Sequence, residues 1–336
     1  MKIVVDAFGG DNAPLEIIKG AAQAEKELGV DIILAGNKDE INNCIAQNNI
    51  KFNNLTILNA TDVISMHDAP TSLIKEHKDS SMAVAFNALA EGQADAFVSA
   101  GSTGAIVVGG TLLVKRIKGV IRPALASMLP SPESSYMLMD MGANAECRPE
   151  MLNQFGLMAS VYLEKVENRA NPKIGLLNIG TEDTKGDALH VEAYNLLKNS
   201  GINFIGNVES REMPKGVCDA VISDGFTGNI ALKLIEGTAN TLFKMLKGVF
   251  YKNIISKLAA LVLKKDLTML KTKMDSSEVG GALLLGVKKP VIKAHGSSDA
   301  RAIKNACRQA KMFTEMGVIE TISQNLSCKE ESNENA

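Results

Sequence analysis

Short apolar runs alternate with amphipathic stretches along most of this chain. Residues 3–5 form a buried-strand pattern ending at Asp6, and Ala7-Phe8-Gly9-Gly10-Asp11 turns into a helix that Pro14 opens and that reaches about Leu28. Apolar runs follow at 30–35 and 55–58, with a helical period over 38–47 between them. Residues 61–81 are polar, carry His67, Asp68, Pro70 and His77, and read as a loop and then a helix. Ser81 is the expected N-cap of the next helix, through about Ala90. The apolar run after Asp95 ends in Gly101-Ser102-Thr103-Gly104 and passes into a helix to about Lys118. Runs at 124–129 and 136–139, joined through Pro130 and Pro132, suit a tight strand pair. Pro149 opens a helix to about Lys165, a strand spans 174–179, and a helix reaches about Asn199. Further strands are expected at 202–205, 217–222 and 291–293, and a helix at 300–315.

Strands separated by helices predict an α/β fold, a three-layer α/β/α arrangement around a largely parallel sheet with right-handed crossovers. Residues 1–326 are expected to form one domain, undivided or as two packed lobes, and 327–336 to be a disordered tail. Ligands of such sheets sit beyond the carboxyl ends of strands. The polar loops after Val5, Val98, Met139, Ile179, Ile222 and Lys293 are therefore expected to share one mouth.

The Gly101-Ser102-Thr103-Gly104 turn has an echo. Aligned without gaps, residues 95–106 and 219–230 share Asp, Ala, Ser, Gly, Thr, Gly and Ile. A strand, a glycine-rich turn and a helix start present N–H groups and positive partial charge to an anion. Neither copy is a G-x-x-x-x-G-K-[ST] or a G-x-G-x-x-G motif, so a small phosphate-bearing ligand suffices and no nucleotide is required.

The alternation stops between Gly237 and Glu278, where 237–278 reads as an inserted helical hairpin. Residues 242–274 hold eight lysines against the single acid Asp266, with apolar positions that include Leu258, Leu261 and Val262. One or two amphipathic helices with a basic face suit contact with a membrane surface, with a second subunit, or with both.

Composition narrows the classes. A net charge of −2 and the absence of any nucleic-acid-reading motif exclude bulk binding to DNA or RNA. The five cysteines are scattered and never form C-x-x-C, which argues against a disulfide framework or zinc knuckle and for a reducing compartment. The N-terminal apolar stretch is too short for a signal peptide and no run of about 18 apolar residues occurs. The chain is expected to be cytoplasmic, without spanning helices. The histidines lack metal-ligand spacing, and Asp6, Asp11, Asp140, Asp224 and Asp299 serve equally as helix caps, so neither metal nor cofactor is assigned. His295, between a strand and a helix, is a candidate acid or base; Lys185, Arg122, Arg148 and Arg301 lie where they could complement phosphate. Cys147 has no histidine nearby to activate it and reads as an unreactive loop thiol.

Five stretches together resemble a known family: Val5-Asp6-Ala7-Phe8-Gly9-Gly10-Asp11, Ser99-Ala100-Gly101-Ser102-Thr103-Gly104-Ala105, Asn178-Ile179-Gly180 with Thr184-Lys185-Gly186, Asp224-Gly225-Phe226-Thr227-Gly228-Asn229, and Lys293-Ala294-His295-Gly296-Ser297-Ser298-Asp299-Ala300-Arg301. They are similar to the bacterial acyl-carrier-protein:phosphate acyltransferases of phospholipid synthesis, departing at Phe8, Ser102, Ala159 and Leu283, where that family usually has Met, Asn, Gly and Pro.

The resemblance implies a homodimer with a fold like that of phosphotransacetylases and isocitrate dehydrogenases. It implies reversible transfer of a fatty acyl group from acyl carrier protein to inorganic phosphate, and delivery of the acyl phosphate to a membrane glycerol-3-phosphate acyltransferase. It also implies peripheral association with the inner face of the cell membrane. On this reading phosphate attacks the thioester directly. Ser102, Thr103, Gly104, Thr227, Gly228, Asn229 and Ser297 hold phosphate, Lys185 and His295 neutralise or shuttle charge, and Asp6, Asn144, Asp224, Asp299 and Arg301 are candidate substrate contacts. The alternatives are a phosphotransacetylase-like acyl-CoA enzyme, a metal- and nicotinamide-dependent 2-hydroxyacid dehydrogenase of related fold, and a non-catalytic membrane-docking scaffold.

Overall fold

The computed structural model describes the backbone of residues 1–273 and 280–334, with side chains described except at 271, 273 and 327–334. Its strands are β1 (Lys2–Asp6), β2 (Asp31–Gly36), β3 (Leu55–Asn59), β4 (Ala96–Ser99), β5 (Ala124–Pro130), β6 (Ser135–Met139), β7 (Ile174–Asn178), β8 (Phe204–Glu209), β9 (Ala220–Ile222), β10 (Ala282–Leu285) and β11 (Val291–Lys293). All eleven join one sheet in the order β3-β2-β1-β4-β11-β10-β5-β6-β9-β7-β8. β3 to β11 pair in parallel, as do β6 to β8, and the antiparallel contacts β11–β10, β10–β5 and β5–β6 weld the two halves. The largely parallel sheet is as expected.

Period-two alternation assigns the faces. Ile3, Val5, Val98, Met137, Leu283 and Ile292 point into one core, where helices α1 (Leu15–Leu28), α5 (Pro149–Lys165) and α10 (Ala300–Glu315) bury Ile17, Phe155 and Ile303. Val4, Phe97, Leu138, Leu284 and Val291 point into the other, under α3 (Ser81–Ala90) and α4 (Thr103–Gly109), where Phe86 stacks on Phe97 at 4.0 Å between ring centroids. Strands buried on both faces read as continuous apolar runs, which is why they stood out in the sequence. The remaining helices are α2 (Lys38–Gln47), α6 (Ala188–Lys198), α7 (Gly225–Phe250), α8 (Ile254–Val262), α9 (Lys264–Lys273) and α11 (Val318–Glu334).

Several local expectations are corrected. The cap of α3 is Ser80, whose hydroxyl accepts from the Ala83 N–H, not Ser81. α4 gives way at Gly110 to a wider turn that ends at Lys115, three residues early, where a left-handed φ of 74° stops it. β10 was unforeseen because its apolar residues are only four and lie between glycines of positive φ, Gly280, Gly281 and Gly286. The basic segment does not begin as an insert at 237: α7 starts at Gly225 and runs unbroken to Phe250, so its first arm is the helix of the second glycine loop. Residues 274–278 of the expected hairpin lie outside the described residues. α11 is helical to Glu334 where a disordered tail was expected from 327, because Val318, Ile322 and Leu326, spaced by four, bury against the core and anchor its start. Among the described residues no helix is long and apolar enough to cross a membrane.

Candidate active site

Three strand-end loops form one wall of the mouth. The loop after β1 clasps the loop after β11: the Asp11 N–H donates to the Gly296 carbonyl at 2.8 Å, and Asn12 Nδ2 donates to the carbonyls of Ser297 and Ser298 at 3.0 and 3.2 Å. The same loop packs on the turn after β4 so closely that a Cβ at Gly9 would stand 2.8 Å from the Gly101 nitrogen. Below them Asp6 accepts from the Ser99 hydroxyl at 2.7 Å, and Ser99 Oγ in turn accepts from the Gly101 N–H. Burial pushes the Asp6 carboxyl upward, with hydrogen bonds from Ser81 and Ser99 opposing. Asp6 therefore organises the floor beneath the loops.

The opposite wall is built by the loop after β6. Buried Asp140 accepts from the N–H groups of Leu125, Gly142, Ala143 and Asn144, and from Asn144 Nδ2. Five donors hold the loop around one carboxylate. Asn144 Nδ2 also donates to the Pro123 carbonyl, and the Gly225 N–H donates to the Asn144 carbonyl, which fixes the start of α7. Asn229 Nδ2, one turn later, donates to the Met141 carbonyl at 2.9 Å.

Between the walls lies a cavity of about 410 Å³. Its polar side carries Thr103, Lys293, His295, Ser298 and Asp299, and its apolar side Leu125, Leu129, Met141 and Leu232. Asn229, Lys233 and Glu236 of α7 close it. The loops after β4 and β11 thus bring groups suited to an anion, and β5, the loop after β6 and α7 bring apolar residues beside Ser127, Lys233 and Glu236.

Of the residues singled out from sequence, Thr103, Asn229, His295, Ser297 and Asp299 line this cavity. The others do not, for specific reasons. Ser102 is buried and its hydroxyl caps α4 on the Ala105 N–H, while Gly104 is covered by Pro70, whose Cγ would be 2.5 Å from an added Cβ. The two glycine loops are also not equivalent. The first helix is capped by Ser102 and the second by Asp224, two positions earlier in the alignment, so the Thr227 N–H goes to the Asp224 carboxylate at 2.9 Å. The Gly228 N–H goes to the Asp224 carbonyl, and its α-carbon faces the Asp140 carbonyl. A carboxylate occupies the helix start where an anion was expected. β4 and β9 are moreover five strand spacings apart, about 24 Å at ~4.8 Å each. The loops reach one cavity from opposite sides, each through a single residue, rather than gripping one phosphate together.

Asp6 and Asn144 are structural supports, as described above. Asp299 caps α10 on the Ala302 N–H and borders the cavity, and exposed Arg301 lies two residues beyond, outside its lining. Lys185 is exposed on the loop after β7, the strand beyond β9, outside the cavity lining.

Two residues that the sequence reading did not select complete the polar half. Lys293, the last residue of β11, projects from a buried strand. Burial lowers its pKa from the ordinary 10.5, and the carboxylates of Glu236 and Asp11 oppose that shift. The signal available was a lysine ending an otherwise apolar strand. Ser298 is 5 % exposed, and its hydroxyl has no partner among the described residues. An unpaired buried hydroxyl on a cavity wall is poised for a ligand oxygen. Ser297, by contrast, is engaged with His295: its Oγ lies 2.8 Å from Nδ1, and its N–H donates to Nδ1 at 3.2 Å. In the neutral ring that leaves the proton on Nε2, available to a substrate.

Cys147 lies behind the second wall, its Sγ 3.7 Å from the Asn144 carbonyl, and burial pushes its pKa up to about 12. Among the described residues no group of three His, Cys, Asp or Glu is arranged to hold a metal ion.

The family described as "Fatty acid synthesis protein" matches residues 1–321. A protein of Thermoanaerobacterium thermosaccharolyticum named phosphate acyltransferase is 48 % identical over 326 residues, 97 % of each chain. A phosphate acyltransferase of Clostridioides difficile is 46 % identical over all of this chain and 99 % of its own. Among solved structures, a phosphotransacetylase from Streptococcus pyogenes superposes with a TM-score of 0.59 at 18 % identity, covering 97 % of this chain and 94 % of that one. A branched-chain phosphotransacylase from Enterococcus faecalis V583 gives 0.58 at 16 % identity, covering 94 % and 99 %. These two establish a shared fold, and the near-full-length sequence identity establishes more: the chain belongs to the fatty acid synthesis protein family, among its phosphate acyltransferases.

Proposed function

We propose that this phosphate acyltransferase takes a fatty acyl group from acyl carrier protein and gives it to inorganic phosphate, forming an acyl phosphate for phospholipid synthesis. The observation that carries the reading is the cavity's mixed lining, polar and cationic from the loops after β4 and β11 and partly apolar from β5, the loop after β6 and α7. Phosphate sits against Thr103, Lys293 and Ser298, and the thioester carbonyl lies between it and the apolar side near Leu232. A phosphate oxygen attacks the carbonyl carbon and the C–S bond breaks. The departing thiolate takes a proton from the Lys293 ammonium, and the amine regains one from the phosphate moiety of the product. His295 donates from Nε2 to the oxygen on which charge develops. No enzyme acyl intermediate is needed, and a thiol raised as far as Cys147 is a poor nucleophile at neutral pH. Holding two substrates in line supplies much of the rate.

Exposed Lys185, on the loop after β7, meets the acidic carrier rather than the attacked carbonyl. The outer face of α8 carries Ile255, Leu258 and Val262, exposed at 80, 58 and 82 %. It docks the homodimer on the inner face of the cell membrane, where the product passes to the glycerol-3-phosphate acyltransferase. Liposome flotation of the Leu258→Glu, Val262→Glu variant reads this directly: unchanged binding refutes it. The activity itself is tested by incubating the protein with palmitoyl acyl carrier protein and phosphate. Acyl phosphate appearing with free carrier thiol is expected. Turnover of only coenzyme A thioesters, or release of free fatty acid alone, would overturn the proposal.

A further inference from the structure

Helix α7 links the catalytic cavity to a second one. Asn229, Leu232, Lys233 and Glu236 line the first, and Asn240, Phe243, Lys244 and Lys247 line an open groove of about 820 Å³ bordered by α7, α8 and α9. These positions step by three or four, so they share one face of one helix. From Glu236 to Asn240 is about 6 Å of helix rise. The two cavities therefore lie end to end along α7. The groove is walled by Phe243, Leu246, Phe250, Leu261 and Leu267, with Lys244 and Lys257 among its lysines.

An acyl group whose carbonyl reacts beside Leu232 has to send its hydrocarbon away from the polar half. The apolar residues of the catalytic cavity take the first carbons only, and the next apolar lining along the same face of α7, past Glu236 and Asn240, is that of the groove. We propose that the groove between α7, α8 and α9 is the acyl-chain subsite, receiving the distal methylenes of a long-chain acyl group. This rests on the acyl-transfer reading of the site. Lysine stems cover the chain while their ammonium groups stay in water and draw in an anionic amphiphile. On α8, Lys257, Ala260 and Leu261 line the groove, whereas Ile255, Leu258 and Val262 are outside its lining and exposed.

The test is the chain-length profile. Burying one methylene contributes about fourfold in affinity, equivalent to about 0.8 kcal/mol. Phe243→Glu places a charge in the groove, and Ala260→Trp fills it while keeping it apolar. Each is expected to lower the ratio of kcat/KM for palmitoyl over butyryl thioester by at least about tenfold, the loss of two buried methylenes. The chain has no tryptophan, so Phe243→Trp supplies a single indole whose emission should shift to the blue when palmitate or a palmitoyl thioester is titrated in and stay unchanged with butyrate. An unaltered palmitoyl-to-butyryl ratio in both blocking variants overturns the proposal. So does a change in subunit mass or in liposome flotation with that ratio intact, since it would assign the groove to a second copy or to the bilayer. If no thioester of any length yields acyl phosphate, the acyl-transfer reading fails instead, whereas the indole titration still reports on the groove.

Discussion

Removing the charge of Lys293 is the sharpest perturbation of the proposed chemistry. Its side chain ends a buried strand and lines the polar half of the cavity. A charge-assisted contact to phosphate contributes about 1.5–3 kcal/mol, and donating a proton to a leaving group contributes about 10²–10⁴ in rate. Lys293→Met should thus lower kcat/KM by about 10² to 10⁴. The pH dependence gives the finer test. Lysine acts here while protonated, and burial places its pKa below the ordinary 10.5, so kcat/KM falls on an alkaline limb that begins below that value. Glu236 and Asp11 favour the charged form; Glu236→Gln should move the limb to still lower pH. Arginine holds its charge throughout, so Lys293→Arg should retain phosphate KM better than Lys293→Met, lose kcat, and shed this limb. The assay is initial-rate formation of acyl phosphate across pH 6–10, with saturation in phosphate. Activity within about threefold of the parent in Lys293→Met, or one limb shared unchanged by all three variants, would refute the assignment.

Other consequences concern the supports of the site. Gly228→Ala drives a Cβ into the Asp140 carbonyl oxygen, a backbone atom that cannot swing aside, and should destabilise the fold by about 1–3 kcal/mol in denaturant unfolding. His77, whose Nδ1 lies 2.5 Å from Asp62 and whose Nε2 lies 3.7 Å from Asp68, ties together the strap 61–80 that sets Pro70 on Gly104. The Asp62 hydrogen bond, with Asp68 and Glu76 nearby, raises its pKa above 6.5. The strap is therefore firmest below pH 6.5 and loosens as pH rises through the raised folded value. Hydrogen exchange within 61–80 should increase over that window, and His77→Ala should abolish the pH dependence. Cys147→Ser should keep turnover and show no acyl adduct by mass spectrometry. Lys185→Ala should raise KM for the acidic carrier more than KM for phosphate, and an equal change in both would place it at the reacting centre.

The sheet was legible because its strands are buried on both faces: runs such as 3–5 and 174–178 carry no alternation to confuse with a surface helix. β10 escaped because Ala282–Leu285 is too short to show a period and is bracketed by glycines. The glycine loops were correctly placed at strand ends, and Thr103 and Asn229 do face one cavity. Their identity letter by letter nevertheless misled, because a two-residue offset in the helix cap hands the Thr227 N–H to Asp224. Sequence spacing cannot register which N–H a carboxylate already occupies. Lys293 and Ser298 escaped for the opposite reason, since their significance lies in burial, which depends on β11 sitting between β4 and β10. The exchange of Ser297 for Ser298 as the unengaged hydroxyl follows from one side-chain contact with His295.

Direct attack of phosphate on the thioester is the central claim, and a single-turnover experiment reaches it most directly. The protein, in excess over palmitoyl acyl carrier protein, is mixed with phosphate and quenched at successive times; thioester, acyl phosphate and protein mass are followed together. The account predicts that acyl phosphate appears as fast as thioester disappears, with no lag, and that no thioester is consumed when phosphate is omitted. Acylated protein that precedes acyl phosphate, or thioester loss without phosphate, would contradict it.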